Sequence, residues 1–320
     1  MDAKRIGLIA EVAKQYYLED LPKTEIARLH GLSRFKVARL LEEARAEGIV
    51  RIEIRDTAQQ QDLLSERLST HLGLRRCVVV TSAGAEWEVR ERIAESTAKL
   101  VMTQLRSGDS LGVSWGRTML AMAHHLHDLP PASVVAITGT VGNNLSESPV
   151  EILRTLANVG AVATYPVMAP LFTSSEQGAE TLRSDPSIRG TLSRMRHLDL
   201  VVMSVGSWQP RITQVDDALN PEDHELLNQE GARAEVLGIF LGDDGHEVAP
   251  TLGRRRLAAT PGDLMAVPEV IAAAGGAGRA PALRAVACSG LITSLVTDDR
   301  TALTLLEQPP ITTKAWSRQR

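Results

Sequence analysis

Aromatic side chains are scarce in this chain: Phe, Trp and Tyr make up 3% of its 320 residues. A core must therefore be filled mainly by Ala, Val, Leu and Ile. The apolar fraction of 43% is ordinary for a globular protein and excludes disorder of the whole chain. Cysteine is rarer still. Cys77 and Cys288 are the two present, too few for a disulfide framework or a Cys-rich zinc module. No apolar run approaches the roughly 18 residues of a membrane helix. Met1–Lys14 is charged along its length, unlike a signal segment, and a soluble cytoplasmic protein with no membrane partner is expected. Excess charge of one sign is missing as well, with 35 basic against 39 acidic side chains.

Lysine is the most informative scarcity. Four of the six lysines, Lys4, Lys14, Lys23 and Lys36, lie in the first 56 residues, and the remainder of the chain carries only Lys99 and Lys314. The length suggests two or three units at about 100–200 residues per domain, and this asymmetry says that the first differs in kind from the rest of the chain.

Ile6, Ile9, Val12, Ala13, Tyr16 and Tyr17 recur at helical spacing. Pro22 before and Gly31 after frame a short helix at Lys23–His30, and Ser33 is placed to cap a third with Val37, Leu40, Leu41 and Ala44 on one face. Ala27 is small where two helices would cross, and Gly31 falls where a tight turn requires positive φ. Ser33, Arg34, Lys36 and Arg39 then occupy the open face of the third helix, where Arg and Lys reach guanine edges or phosphates and a capped helix start holds a phosphate. The pattern predicts a helix-turn-helix DNA-binding domain over 1–56, against the plainer alternative of a structural three-helix bundle. Phe35 suits either a thymine methyl or the core. Residues 49–55, with Arg51 and Arg55, alternate like a strand and suit a wing on the DNA backbone or a strand closing the small domain.

Residues 57–73 are expected to form a linker helix, whose Leu64, Leu68 and Leu72 suit an oligomer seam. From 74 to 308 short apolar runs alternate with helices: 77–80, 110–113, 133–137, 161–165, 199–205, 235–241, 270–274 and 291–296. This predicts an α/β effector domain with a doubly wound, mostly parallel sheet. The Pro-Pro segment at 309–320 is expected to be frayed. No internal repeat is present.

In such a sheet ligands collect beyond the carboxyl ends of the strands. Four Gly-bearing turns suit that place. The first carries Gly116, Arg117 and Thr118; the second Gly139, Thr140, Gly142, Asn143 and Asn144; the third Gly206; the fourth runs through 272–279 to Arg279. Together they predict a pocket for a polar, anionic small molecule. Other clusters point to structure instead. His124 and His127 close a helix, where a cationic ring suits the dipole, and with His125 they lack an acidic partner at ligand spacing, so no metal is expected. Asp243–Glu247 lacks the continuing acidic pattern of a calcium loop and reads as a turn. Cys288 reads as a small core residue, and Trp115 suits either packing or a sugar face.

The order of K-T-E-I-A-R-L-H-G-L-S-R-F-K-V-A-R-L-L (23–41), G-V-S-W-G-R-T (112–118), the 204–207 turn, D-D-G (243–245), V-P-E-V-I-A-A-A-G-G (267–276) and L-I-T-S-L-V-T-D-D-R-T-A (291–302) resembles the SorC/DeoR-type sugar-responsive bacterial transcription regulators over about 1–308. The resemblance implies a helix-turn-helix followed by an effector domain related to sugar-phosphate isomerases and glucosamine-phosphate deaminases. It also implies a homodimer or homotetramer on operator DNA, more often a repressor, whose DNA affinity is changed by a sugar, polyol or sugar phosphate. The family's phosphate-binding turn falls on Ser114, Gly116, Arg117 and Thr118, and its acidic sugar-hydroxyl ligand on Glu235. Its lysine after the double glycine is replaced by Arg279, which keeps the charge but cannot form a Schiff base. With only Lys99 and Lys314 available, covalent capture of an aldehyde sugar is not expected. The alternatives are an isomerase or deaminase with an appended DNA-binding module, which needs a general base beside the sugar, and a ligand-binding module with a structural N-terminal bundle. No cofactor and no catalytic residue is expected.

Overall fold

Three amphipathic helices build the N-terminal unit, residues 1–56, which is separate from a second unit spanning 57–320. The computed structural model describes residues 3–50, 57–142 and 148–317. Helix α1 (Ala3–Tyr17) buries Ile9, Val12 and Ala13; α2 (Lys23–Leu29) buries Ile26 and Ala27; α3 (Arg34–Ala46) buries Val37, Leu40, Leu41 and Ala44. In α1 and α3 the buried residues recur at spacings of three and four, and α2 buries an adjacent pair, so each helix turns one stripe inward. The Ser33 side chain accepts from the Lys36 amide at 3.1 Å and starts α3. Between α2 and α3 the chain reverses through Gly31, at φ +62°, and the Leu32 amide donates back to the Ala27 carbonyl at 2.8 Å. Arg5 of α1 holds Glu43 of α3 through two hydrogen bonds of 3.0 and 2.9 Å. Ile49 and Val50 pack at the margin of this core. The rest of the expected strand, with Arg51 and Arg55, lies outside the described residues.

The second unit opens with α4 (Thr57–Leu72), followed by β1 (Arg76–Val80), α5 (Glu86–Gln104), β2 (Ser110–Val113), α6 (Arg117–His125), β3 (Ser133–Ala136), α7 (Pro149–Asn158), β4 (Ala163–Tyr165), α8 (Glu176–Ser184), α9 (Pro186–Arg194) and β5 (Leu200–Ser204). Next come β6 (Gly206–Ser207), α10 (Pro221–Gln229), β7 (Ala234–Val236), β8 (Ile239–Leu241) and β9 (Glu247–Val248). The last elements are α11 (Pro261–Ala266), β10 (Glu269–Ala273), α12 (Ala280–Ser289), β11 (Ser294–Asp298) and α13 (Asp299–Leu306). Seven strands form a parallel sheet in the order β1-β11-β10-β5-β2-β3-β4. Every residue of β10 and β11 is buried, the pattern of strands covered on both faces. From β2 the chain winds outward through β3 and β4, and from β5 it winds the other way through β10 and β11. The order therefore reverses between the neighbours β2 and β5, the switch point at which such sheets open a crevice.

Three sequence expectations are corrected. The run 235–241 is not a strand of the parallel sheet. Leu237 and Gly238, at φ +56° and +75°, break it into β7 and β8, which pair antiparallel in a second sheet of order β6-β7-β8-β9. The leucines expected to form a seam are not available for one: Leu68 and Leu72 are fully buried in the main core and Leu64 packs against it. That burial follows from the place of β1 at the sheet edge, where α4 lays Ser69 and Ser65 on the Cys77 and Val79 amides at 2.7 and 3.0 Å. The tail is not frayed over 309–317. Ile311 donates to His71, Ala315 to Cys288 and Trp316 to Ser289, each at 2.9 Å, and Lys314 Nζ donates to the carbonyls of Leu72 and Ala287 at 2.6 and 2.7 Å. Lys314 meets the carbonyls at the last turns of α4 and α12, where a cation is favoured.

Candidate functional site

The carboxyl ends of β1, β2, β5, β10 and β11 border one cavity of about 950 Å³. After β2 the chain turns through Gly116, at φ +121°, the residue before α6. A Cβ there would lie 2.9 Å from Ser204 Oγ, so the glycine allows the β2 and β5 turns to close on each other. Ser114 ties the same junction from beneath. Its hydroxyl accepts from the Ser204 amide at 3.1 Å, and it is 2% exposed and not part of the lining. Gly116, Arg117 and Thr118 line the cavity, and α6 presents its positive end there.

Arg279 enters from the turn after β10. Its Nη1 donates to the Val205 carbonyl at 2.9 Å, leaving donors for a ligand. Burial lowers its pKa first, then the nearby charge of Arg117; Glu86 opposes the shift and Arg90 adds to it. Three guanidiniums thus share one side of the cavity. Glu86 compensates only in part, because its side chain is 72% exposed and 3.5 Å from Arg90. Asp298 holds this side in shape: it accepts from the Gly276 amide at 2.6 Å and from the Thr301 amide and hydroxyl at 2.9 and 2.7 Å. It thereby caps α13 and fixes the glycine turn together.

The opposite side comes from the antiparallel sheet. Glu235 faces Gly206 across β6 and β7, accepts from the Gly238 amide at 2.6 Å and the Thr213 hydroxyl at 3.2 Å, and is 4% exposed. Burial outweighs these bonds and the attraction of Arg256, and pushes its pKa up to about 7. Arg211 also lines this side. Its guanidinium lies 4.6 Å from the Trp208 ring centroid and 3.2 Å from Asp216. Trp115 borders the cavity but belongs to a small buried cluster with Phe172, Trp208 and Phe240.

The predicted residues divide accordingly. Gly116, Arg117, Thr118, Gly206, Glu235 and Arg279 meet at the cavity. Gly139 and Thr140 do not. The Gly139 amide bonds Leu257 and the Thr140 amide bonds Ala169, each at 2.8 Å, so the end of β3 is occupied by the chain's own backbone. Asn143 lies outside the described residues. Arg90, Arg211, Thr213, Asp298 and Arg300 line the cavity without having been singled out in the sequence. Asp298 had a legible signal, since it closes an apolar strand and begins D-D-R-T at a helix start; the others had none. No lysine lines the cavity among the described residues; Lys99 pairs with Glu95 at 2.7 Å. Among those residues no group of three or more His, Cys, Asp or Glu is placed to hold a metal, and His125 lies 2.9 Å from Glu91. No helix described is long and apolar enough to cross a membrane.

In the N-terminal unit the cap residue Ser33 and, on α3, Arg34, Phe35, Lys36 and Arg39 are all exposed. Phe35 is 84% exposed, which settles against the core.

A cationic pocket at the switch point of a doubly wound sheet, joined in one chain to a helix-turn-helix, defines a ligand-binding regulator. The family described as "Putative sugar-binding domain" matches residues 56–307, and the chain belongs to it. Among curated proteins it is 28% identical over 306 residues to the transcriptional regulator LsrR of Klebsiella pneumoniae, covering 93% of this chain and 92% of that one. It is 24% identical to the erythritol catabolism regulatory protein EryD of Brucella abortus, over 95% and 97% of the two chains. The crystal structure of the full-length sorbitol operon regulator SorC from Klebsiella pneumoniae superposes with a TM-score of 0.74 at 24% identity, covering 96% of this chain and 99% of the other, and shows the same fold. The chain is thus a member of a sugar-binding-domain family, and the relatives it matches along nearly their whole length are named as transcriptional regulators.

Proposed function

We propose that the chain is a cytoplasmic, sequence-specific DNA-binding regulator of a carbohydrate or polyol operon, a repressor acting as a homodimer or homotetramer. Its effector is a phosphorylated sugar or polyol. The observation that carries this reading is the side of the cavity where Arg90, Arg117 and Arg279 gather near the start of α6, faced by two carboxylates, the exposed Glu86 and Asp298, which is taken up by the Gly276 and Thr301 hydrogen bonds. A dianionic phosphate on Arg117 and Arg279 satisfies that charge with bidentate hydrogen bonds. Glu235, held in place by the Thr213 hydroxyl, then accepts from sugar hydroxyls on the other side. With no lysine lining the cavity among the described residues, the binding is read as non-covalent. Ser33, Arg34, Lys36 and Arg39 read the operator, and the effector shifts the population of DNA-competent geometries.

A thermal-shift comparison of sugars and polyols with their phosphates tests the effector. A ligand at 100 times its Kd adds about 2.7 kcal/mol of stability, a visible change in Tm. Phosphates are expected to shift the protein and the free compounds are not; a shift by free compounds alone would overturn the phosphate assignment. Arg39→Ala is expected to abolish operator binding while leaving the effector shift intact.

A further inference from the structure

The chain has three phenylalanines, and one stands apart. Phe172 and Phe240 are 9% and 1% exposed and stack with centroids 6.4 Å apart in the second unit. Phe35 is 84% exposed in the first turn of α3. The N-terminal core closes without it, because Val37, Leu40, Leu41 and Ala44 of the same helix are already buried there. Its neighbours Arg34 and Lys36, together with Arg39 one turn on, are exposed cations, and Ser33 caps the helix directly before it. Cations at a helix start complement a polyanion. The ring itself has no charge and no hydrogen bond to offer phosphate. Among the groups that a duplex presents between its phosphates, the apolar one in the major groove is the thymine C5-methyl.

We propose that Phe35 is a specificity-determining residue of this helix, packing its ring on the C5-methyl of one thymine in each half-site. The assignment rests on the DNA-binding reading above and adds the base that is read and the atom that is recognised. Arg34, Lys36 and Arg39 supply phosphate and guanine contacts around it. Phe35 contributes the discrimination of thymine from cytosine, and of thymine from uracil.

The test begins with selection of duplexes from a random pool by the full-length protein and by Phe35→Ala. The wild type's enriched duplex is then resynthesised with deoxyuridine at one thymine position at a time, which removes the methyl and keeps the base pair. Binding of each is measured by fluorescence anisotropy at fixed salt. One position per half-site is expected to lose about fourfold in affinity for the wild type, the factor for burying one methyl. Phe35→Ala is expected to show no loss at that position, to enrich no thymine there, and to keep its Tm, its effector-induced shift and its salt dependence.

Equal losses for both proteins at every deoxyuridine would assign methyl recognition to another residue and overturn the proposal. So would a large loss of affinity in Phe35→Ala with no methyl effect in the wild type, which is the signature of a ring wedged between bases. A wild type that enriches no sequence would sink the DNA-binding reading itself and the role of Phe35 with it, an outcome distinct from the other two.

Discussion

One side of the cavity is made by turns that come after strands of the parallel sheet, and the other by the small antiparallel sheet; the two differ in charge and in how they are held. The first carries Arg117 and Arg279, set by glycine turns and by the Asp298 hydrogen bonds, with Arg90 from α5 beside them. The second carries Glu235, held by Gly238 and Thr213 and almost fully buried. A parallel sheet delivers helix starts and backbone amides at one end, which suits an anion of fixed geometry. A hairpin delivers single side chains at a chosen depth, which suits hydroxyls. Recognition of the effector's charge and recognition of its carbon skeleton are thereby assigned to separable elements.

If that division holds, the largest effect belongs to the cationic side. Arg117→Ala or Arg279→Ala is expected to weaken a sugar phosphate roughly tenfold to a hundredfold by calorimetry, the value of charge-assisted hydrogen bonds at about 1.5–3 kcal/mol. Equal losses for a phosphorylated and an unphosphorylated ligand would break the comparison.

Glu235→Gln sharpens it from the other side. A carboxyl with its folded pKa raised from 4.5 to about 7 favours folding fully below pH 4.5, and that contribution is lost as pH rises through 7. Urea titrations at pH 5 and pH 8 are expected to show the wild type losing up to about 3 kcal/mol that the glutamine variant retains. Effector affinity is expected to rise more between pH 6 and pH 8 in the wild type, as the ionised carboxylate becomes available to accept from hydroxyls, than in Glu235→Gln, which keeps only the rise from the phosphate's second ionisation at about pH 6. Asp298→Ala comes next. The loss of the α13 cap is expected to cost about 1–2 kcal/mol of stability, and the loosened Gly276 turn a few-fold in phosphate affinity. Thr140→Ala is the smallest: effector affinity is expected to stay within about twofold, since the hydroxyl bonds Ala169 at 3.3 Å outside the cavity. A larger loss would bring the end of β3 back into the site.

The N-terminal helices are legible because the whole case is local. Ser33, Gly31 and the stripe Val37, Leu40, Leu41 and Ala44 lie within one short segment, and their spacing determines both the turn and the buried face. The parallel strands are legible for the same reason, since each apolar run declares itself. What escapes is non-local. Nothing near Gly139 and Thr140 reveals that residues 169–172 and 256–259 will pair with them and fill their strand end. Arg90 and Arg300 reach the cavity from helices whose register against the sheet emerges only on packing. The 235–241 run misleads because its apolar count suits a buried strand, whereas the left-handed pair Leu237–Gly238 makes it a hairpin. Glu235 sits in the right place for a reason that periodicity does not show.

The outer edge of the seven-stranded sheet has a consequence for handling and assembly. On β1, the Cys77 and Val79 amides are answered by hydroxyls from Ser69 and Ser65 rather than left for another strand. An edge so occupied offers no template for a foreign chain. Extension of the seven-stranded sheet by a strand from another molecule is therefore blocked at β1, the edge opposite β4. Replacing both serines with alanine would leave every ligand assay unchanged while shortening the protein's shelf life.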